Sequence, residues 1–229
     1  EVRYYVPLER SYEVWSLAVT NYSEKKRELT VTGYAEFTNN SNYEQDQVNL
    51  QYSQYITQTV FRGNRVRQMI HANLDRLEEG ENIDNKNVFN RFFGLAGADV
   101  NSWCGDKESF LGRYHGYNNP EGVITGKLSN KGNYNENSCG ALSTVLSLAP
   151  GETKEITFLV GMKGDAEAGE IVEHYKNCQD VCKRELEELI EYWHGQLSHF
   201  QIRTPSPEFN TMINTWNAYN CFMTFIWSR

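Results

Sequence analysis

No cluster of five or more basic residues occurs anywhere in these 229 residues, and no apolar run approaches the roughly 18–20 residues of a membrane span. Lysine and arginine number 22 against 30 aspartates and glutamates, a formal charge of -8. Without a basic face, neither nucleic acid nor membrane is expected as a partner. A signal-peptide pattern is also missing: the N-terminus, EVRYYVPLERSYEVW, reads as strand from its first residues. It has no start methionine, so the chain is expected to begin inside something longer. The five cysteines (Cys104, Cys139, Cys178, Cys182, Cys221) contain no CxxC pair. Cys178 and Cys182 sit one helical turn apart, which is poor disulfide geometry. Buried thiols in a reducing, cytoplasmic compartment are therefore expected. Without a secretory signal, the sequons at Asn21 and Asn39 are read as chance.

The usual signatures of reaction chemistry are equally scarce. No GxSxG elbow exists, and Cys104 in NSWCGDKE has no evident base nearby in sequence. The histidines (His71, His115, His174, His194, His199) lack metal-ligand spacing, so no metal is expected. The glycines of FLGRYHGYNNPEG match neither a P-loop nor a dinucleotide fingerprint. Glu36, Glu44, Asp46, Asp106, Glu108 and Glu121 could each line a cleft, but a lone loop carboxylate is ordinarily solvated. None is marked as the acid of a glycoside reaction.

What the chain does contain is alternation of period two. YEVWSLAVTNY (12–22) sets Trp15, Leu17 and Val19 on one face, and RELTVTGYAEF (27–37) aligns Leu29, Val31, Gly33, Ala35 and Phe37. With a polar turn between them, the two read as an antiparallel hairpin. Further strands are expected within 55–63, 65–74, 87–97, 121–129, 139–150 and 153–162, the last two joined by a Pro-Gly hairpin turn, APGET. Many strands at short spacing without intervening helices make a mainly β, antiparallel β-sandwich.

The period then changes. Residues 165–200 place Cys178, Cys182, Leu186, Leu189, Ile190, Trp193, Leu197 and Phe200 at spacings of three and four. Asp165 is expected to cap this helical stretch, and KNCQD to break it in two. TPSPE (204–208) ends it and starts FNTMINTWNAYNCFMTFIWSR (209–229), which is apolar almost all round. Such a helix needs other helices around it, so the chain looks cut at Arg229.

Two stretches are compatible with sugar. Aromatic faces and planar amides are the groups that grip carbohydrate. Thr38 to Gln47 holds one aromatic, no aliphatic, and no lysine or arginine. With the residues that follow it supplies Asn39, Asn40, Asn42, Gln45, Gln47, Asn49, Gln51, Tyr43 and Tyr52. GRYHGYNNPEG adds Arg113, Tyr114, His115, Tyr117, Asn118 and Asn119. Ordinary turn chemistry accounts for the same composition, and both readings stand at this point.

The runs YYVPLERSYEVWSLAVTN, ELTVTGYAEF, DQVNLQYSQY, DKESFLGRYHGYNNPEGV and LSLAPGETKEITFLVG resemble the N-terminal region of the inverting phosphorylases of glycoside hydrolase family 94. The closing WNAYNCFMTFIWSR resembles it too, and SWCGDKE and DQVNLQY lean towards the cellodextrin phosphorylases of the family. The resemblance implies a super-sandwich β-domain at 1–163, a helical linker at 164–203, and at 204–229 the first helix of a truncated (α/α)6 barrel. It also implies reversible phosphorolysis of β-1,4-glucans to α-glucose 1-phosphate, with inorganic phosphate as co-substrate and no cofactor. The catalytic aspartate would lie in the remaining catalytic barrel beyond Arg229, so no catalytic residue is expected here and the chain alone should be inert. Family enzymes are homodimers in which this domain reaches over the partner's active site. The loop that does so resembles residues 38–54. Substrate-binding residues are accordingly expected at Asn42, Asn49, Gln51 and Tyr52, with Tyr52 where cellobiose phosphorylases carry arginine. Cellodextrins and glucose 1-phosphate are the implied ligands. The alternatives are a stand-alone carbohydrate-binding sandwich and a related cellobiose or chitobiose phosphorylase.

Overall fold

The period-two stretches become strands in the computed structural model, which describes residues 1–38, 54–70 and 90–227. The strands are β1 (Val2–Tyr5), β2 (Tyr12–Thr20), β3 (Arg27–Glu36), β4 (Thr57–Phe61), β5 (Arg65–Ile70), β6 (Arg91–Ala96), β7 (Ser102–Asp106), β8 (Ser138–Leu148) and β9 (Thr153–Met162), of which β7 lies outside every expected stretch. One sheet has the order β1-β2-β9-β6-β5-β4 and the other β3-β8-β7, with antiparallel pairing throughout. The mainly β, antiparallel expectation holds.

The faces expected to be apolar are those that meet. Val66, Phe93, Leu95, Ile156 and Phe158 from one sheet pack with Leu142, Leu146 and Leu148 from the other, and with Phe37. Trp15, Leu17, Val19, Val31 and Ala35 close over this core. Phe93 stacks on Phe158 at 5.4 Å between ring centroids, and Trp15 meets Phe93 edge-on at 5.5 Å. Gly33 leaves room for the Phe158 ring, which would lie 2.5 Å from any Cβ placed there.

Strand pairing departs from expectation. β2 does not form a hairpin with β3, nor β8 with β9. Instead β2 pairs with β9, and β3 with β8 along Arg27–Glu36. Both turns are arches that carry the chain from one sheet to the other, across the roughly 10 Å that separates packed sheets. Alternation specifies which face is buried, and an arch buries the same faces as a hairpin.

The two arches are joined by Asn21, which is 4% exposed. Its Nδ2 donates to the carbonyls of Lys25, Leu148 and Ala149 at 2.8, 3.0 and 3.1 Å. Its Oδ1 accepts from the Ser23 amide at 3.0 Å and hydroxyl at 2.7 Å. The backbone adds Asn21 N–H to Glu152 O at 3.0 Å and Gly151 N–H to Asn21 O at 2.8 Å. So the Asn21 sequon is structural; that at Asn39 lies outside the described residues.

Residues 121–129 are not a strand. Pro120 O accepts from Val123 N–H and Ile124 N–H and starts a one-turn helix, α2 (Glu121–Ile124). The preceding helix α1 (Lys107–Leu111) is capped by Asp106, whose Oδ1 accepts from Ser109 N–H at 2.6 Å. It packs Phe110 with Leu128, Cys104, Cys139 and Ala141 on the outer face of the smaller sheet.

Downstream, α3 (Asp165–His174) and α4 (Cys178–Leu197) are separated by a 3-10 turn at Tyr175–Asn177, at the expected break. Asp165, however, does not cap α3; Gly164 holds that position without a side-chain bond. The carboxylate turns to the sheet. Oδ2 meets Arg62 Nη1 at 2.5 Å, while Oδ1 meets Arg65 Nη2 and lies 3.3 Å from Nη1 of Arg67, which is 1% exposed. Burial pushes this carboxyl up, but Arg65, Arg62 and Arg67 outweigh it and hold the group below its ordinary value. Cys104, Cys139, Cys178 and Cys182 are buried free thiols as expected, whereas Cys221 is exposed.

Two compact units result, Glu1–Cys182 and Lys183–Arg229. The second holds the rest of α4, then α5 (Pro207–Thr211), a π-helical stretch (Met212–Asn217) and α6 (Ala218–Trp227). Ser206 caps α5, and Asn214 brackets Ile202 through N–H to Oδ1 at 2.8 Å and Nδ2 to carbonyl at 2.9 Å. Trp216, Tyr219, Phe225, Ile226 and Trp227 are all exposed, in keeping with a helix apolar on most faces. Among the described residues, no helix is long and apolar enough to cross a membrane.

Two mutations test this scaffold. Asn21→Ala should cost on the order of 3 kcal/mol, because it removes the buried amide whose bonds fasten both arches; a urea midpoint that barely moves would contradict it. Asp165→Asn should cost a similar ~3 kcal/mol by removing the charge that Arg62, Arg65 and Arg67 share. A depressed carboxylate pKa contributes stability above its unfolded value and loses it as pH falls through the folded value. The variant should therefore also flatten the acid limb of a pH–stability curve below about pH 4.

Candidate carbohydrate-facing site

β3 delivers the chain to Glu36, Phe37 and Thr38, immediately before the polar stretch singled out in the sequence. Asn42, Asn49, Gln51 and Tyr52, with Glu44 and Asp46, lie outside the described residues. What is described is the ground on either side of them.

On the entry side, Glu36 Oε1 gathers three donors. Tyr34 Oη lies at 2.9 Å, Tyr117 Oη at 2.6 Å and Lys107 Nζ at 2.8 Å. Lys107 Nζ also sits 5.3 Å from the centroid of the Tyr117 ring, a cation–π contact. The Tyr34 ring stacks on Phe110 of α1 at 4.3 Å, and Tyr117 approaches it edge-on at 6.4 Å. Burial pushes the Glu36 carboxyl up, yet Lys107, Tyr117 and Tyr34 hold it below its ordinary value. For Lys107 burial works downward, and Glu36 and Tyr117 overcome it to raise the ammonium pKa.

On the return side, Gln54 Nε2 donates to Asn137 Oδ1 at 3.0 Å. Asn137 Nδ2 donates in turn to Glu108 Oε1 at 2.9 Å. Both ends thus tie to consecutive residues of α1, one through Lys107 and the other through Glu108. Asp106, Lys107 and Glu108 of DKESFL act as cap, entry anchor and return anchor.

The second sugar-compatible loop begins at Gly112, whose φ of +83° reverses the chain out of α1. The loop holds itself together. His115 Nδ1 is 2.9 Å from Asn119 O, and Asn119 Oδ1 accepts from Gly116 N–H at 3.1 Å. His115, Asn119 and the Tyr117 hydroxyl are therefore committed to architecture. Arg113, Tyr114 and Asn118 point outward, Tyr114 with 99% of its surface exposed. Beside Glu36 a cavity of about 760 Å³ opens, lined in part by Tyr12, Glu13, Phe37, Arg91 and Met162. That volume is in the range of small-ligand sites.

Other candidates resolve into structure. Asp106, Glu108 and Glu136 bring carboxylate oxygens within 4.8 Å of one another, but Asp106 caps α1 and accepts from Asn133 Nδ2, and Glu108 accepts from Asn137. The Asp106 carboxylate pushes the Glu136 carboxyl up. Cys104 is drawn down to about 7 by a hydrogen bond with the Cys139 thiol. It is also fully buried, with Sγ 3.1 Å from Asp106 O and 3.2 Å from Ser129 Oγ, so no substrate reaches it. Sequence reasoning missed Lys107, Gln54, Asn137 and the anchoring role of Glu36. The one visible signal was the Asp-x-x-Ser start of α1.

Against known proteins, residues 1–178 match the glycosyl hydrolase 94 supersandwich domain, and residues 192–229 match the catalytic domain of the glycosyl hydrolase 94 superfamily. The chain is 28% identical to the N,N'-diacetylchitobiose phosphorylase of Vibrio proteolyticus over 227 residues, covering 98% of this chain and 26% of that protein. The Vibrio furnissii enzyme of the same name is 28% identical over 226 residues, with the same coverage of 98% and 26%. Solabiose phosphorylase of Paenibacillus borealis is 23% identical over 217 residues, 93% of this chain and 26% of that protein. The chain therefore spans about a quarter of the length of the curated relatives it matches.

The Asp106 cap gives a prediction for the platform. Asp106→Ala should destabilise the protein by about 1–2 kcal/mol from the lost cap alone. Hydrogen exchange should rise first at Ser109 and Phe110; unchanged protection there would remove the cap from the account.

Proposed function

The chain belongs to the glycosyl hydrolase 94 family, and from that premise we propose that it is the N-terminal part of an inverting glycoside phosphorylase. The observation that carries this is the matching of two family domains in succession, the supersandwich over 1–178 and the catalytic domain over 192–229. In the proposed reaction, inorganic phosphate attacks the anomeric carbon while a protonated carboxylic acid delivers its proton to the departing glycosidic oxygen. The C–O bond to the acceptor breaks, a C–O bond to phosphate forms, and α-glucose 1-phosphate leaves with inverted configuration. Phosphate takes the place of the activated water of an inverting hydrolase, so one protein carboxylate suffices. We assign that carboxylate to no residue of this chain.

The role of these residues, in this reading, is the acceptor-side wall of the site, presented across a homodimer to the partner subunit's catalytic barrel. Asn42, Asn49 and Gln51 would hydrogen-bond sugar hydroxyls, and Tyr52 would stack on a further glucosyl unit. The platform around Glu36 and Gln54, which brackets that segment, supports this assignment. Cellodextrins are the proposed substrates, and the reducing cytoplasm, where buried thiols persist, the proposed compartment. A second reading is phosphorolysis of N,N'-diacetylchitobiose, favoured by the relatives that share 28% identity.

The test is phosphate-dependent release of sugar 1-phosphate from cellobiose, cellotriose, cellotetraose and N,N'-diacetylchitobiose by the protein isolated from its source. Glucose 1-phosphate rising with chain length supports the cellodextrin reading. Turnover of diacetylchitobiose alone replaces it with the second, and no phosphate-dependent product overturns both. Tyr52→Arg should then reduce the preference for the longer acceptors about three- to tenfold, the worth of one aromatic contact. An unaltered chain-length profile would remove Tyr52 from the site.

A further inference from the structure

Two segments far apart in sequence, the end of β3 and the stretch from Lys107 to Tyr117, converge on a single carboxylate oxygen. Tyr34 comes from β3, Lys107 from α1 and Tyr117 from the loop that follows α1, and all three donors reach Glu36 Oε1 within 2.9 Å. Tyr117 is 61% exposed, so little burial holds it. Its position rests on the 2.6 Å bond from its hydroxyl to Glu36, and on the Lys107 ammonium over its ring. Hydrogen bonds to an ionised acceptor are about twice as strong as neutral ones, which suits a loop that has no core of its own. Glu108, next to Lys107, anchors Gln54 through Asn137. One short helix therefore sets the place of three things: the departure of the polar segment, its return, and the exposed Arg113–Asn118 loop beside it.

We propose that Glu36, Lys107 and Tyr117 form a latch that positions the 112–120 loop and the exit of β3 as one rigid acceptor-facing surface. These are positioning residues: none is assigned a contact with the reacting atoms. The inference deepens the acceptor-wall reading and rests on it for its functional half. The latch itself rests on geometry alone.

The experiment uses the full-length protein with Tyr117→Phe, Lys107→Met and Lys107→Arg. Its first readout is independent of activity: the rate of tryptic cleavage after Arg113, followed by mass under native conditions. Breaking the latch should speed that cleavage about threefold or more in Tyr117→Phe and Lys107→Met, with Lys107→Arg near the parent rate. Tyr117→Phe removes one exposed hydroxyl and keeps the ring, so its melting temperature should stay close to the parent's. An unchanged cleavage rate in both breaking variants overturns the latch. The second readout is phosphorolysis of the best oligosaccharide, where KM should rise about fivefold while kcat stays within twofold. Faster cleavage with unchanged KM overturns the positioning role and keeps the latch. If the parent protein shows no phosphorolysis, the acceptor-wall reading fails, and the cleavage rates still decide the latch.

Discussion

The Asn21 side chain is the point on which the sandwich turns. A two-layer β-fold whose strands change sheets must carry the chain from one layer to the other, where backbone groups have no ladder partners. Asn21 resolves this for both arches at once, because a primary amide both donates and accepts. Its nitrogen serves the carbonyls at Lys25, Leu148 and Ala149, and its oxygen serves Ser23. With the arches fastened, β2 is bound to pair with β9 and β3 with β8, and the register of both pairs follows. The apolar faces then oppose each other, and Phe93 and Phe158, stacked on neighbouring strands of the larger sheet, pack with Leu142, Leu146 and Leu148 of the smaller one.

The smaller sheet carries the platform around Glu36 because α1 is built on its outer face. Phe110 is buried between α1 and the sheet, stacked on Tyr34, so the helix cannot slide along β3 without losing that contact. From this fixed element the charged pair Lys107 and Glu108 reaches in two directions. At both carboxylates that matter, the exposed Glu36 and the half-buried Asp165, the partial burial taken alone would favour the neutral acid. Cations placed opposite reverse the balance, and each carboxylate becomes a junction between segments. In an acidic chain, the scarce cations are concentrated where the fold needs them.

Much of this was legible in the sequence, and the part that was not has physical reasons. Alternation announced most of the strands and their inner faces, down to Trp15, Leu17 and Val19, since burying one face of a strand leaves a period-two record; β7, five residues of SWCGD, was too short and too polar to leave one. Partner choice leaves none, so the hairpins expected at 20–29 and 149–153 proved to be arches. α1 is too short to show a helical period, and the valine and isoleucine of 121–129 mimicked a strand. Asp165 stood where a cap is expected, but the arginines that claim it lie about a hundred residues upstream, beyond the reach of local pattern. Within GRYHGYNNPEG, composition pointed to sugar, while His115, Asn119 and the Tyr117 hydroxyl turned out to be spent on holding the loop.

That division of labour bears on why a polar loop needs such a base. Neutral amides and phenols suit a hydroxyl-rich ligand, because they exchange hydrogen bonds with it without the cost of desolvating an ion. Each such bond contributes only about 0.5–1.5 kcal/mol net, while ordering a side chain on binding costs a similar amount. A wall of this kind gains affinity only if much of its ordering is done beforehand. The strong, charge-assisted bonds are therefore of most use behind such a wall, which is the place the proposed reading gives to Glu36, Lys107 and Glu108. In the same reading the neutral groups left facing outward, Tyr114 and Asn118, would meet a sugar from a backbone already held in place by His115, Asn119 and Tyr117.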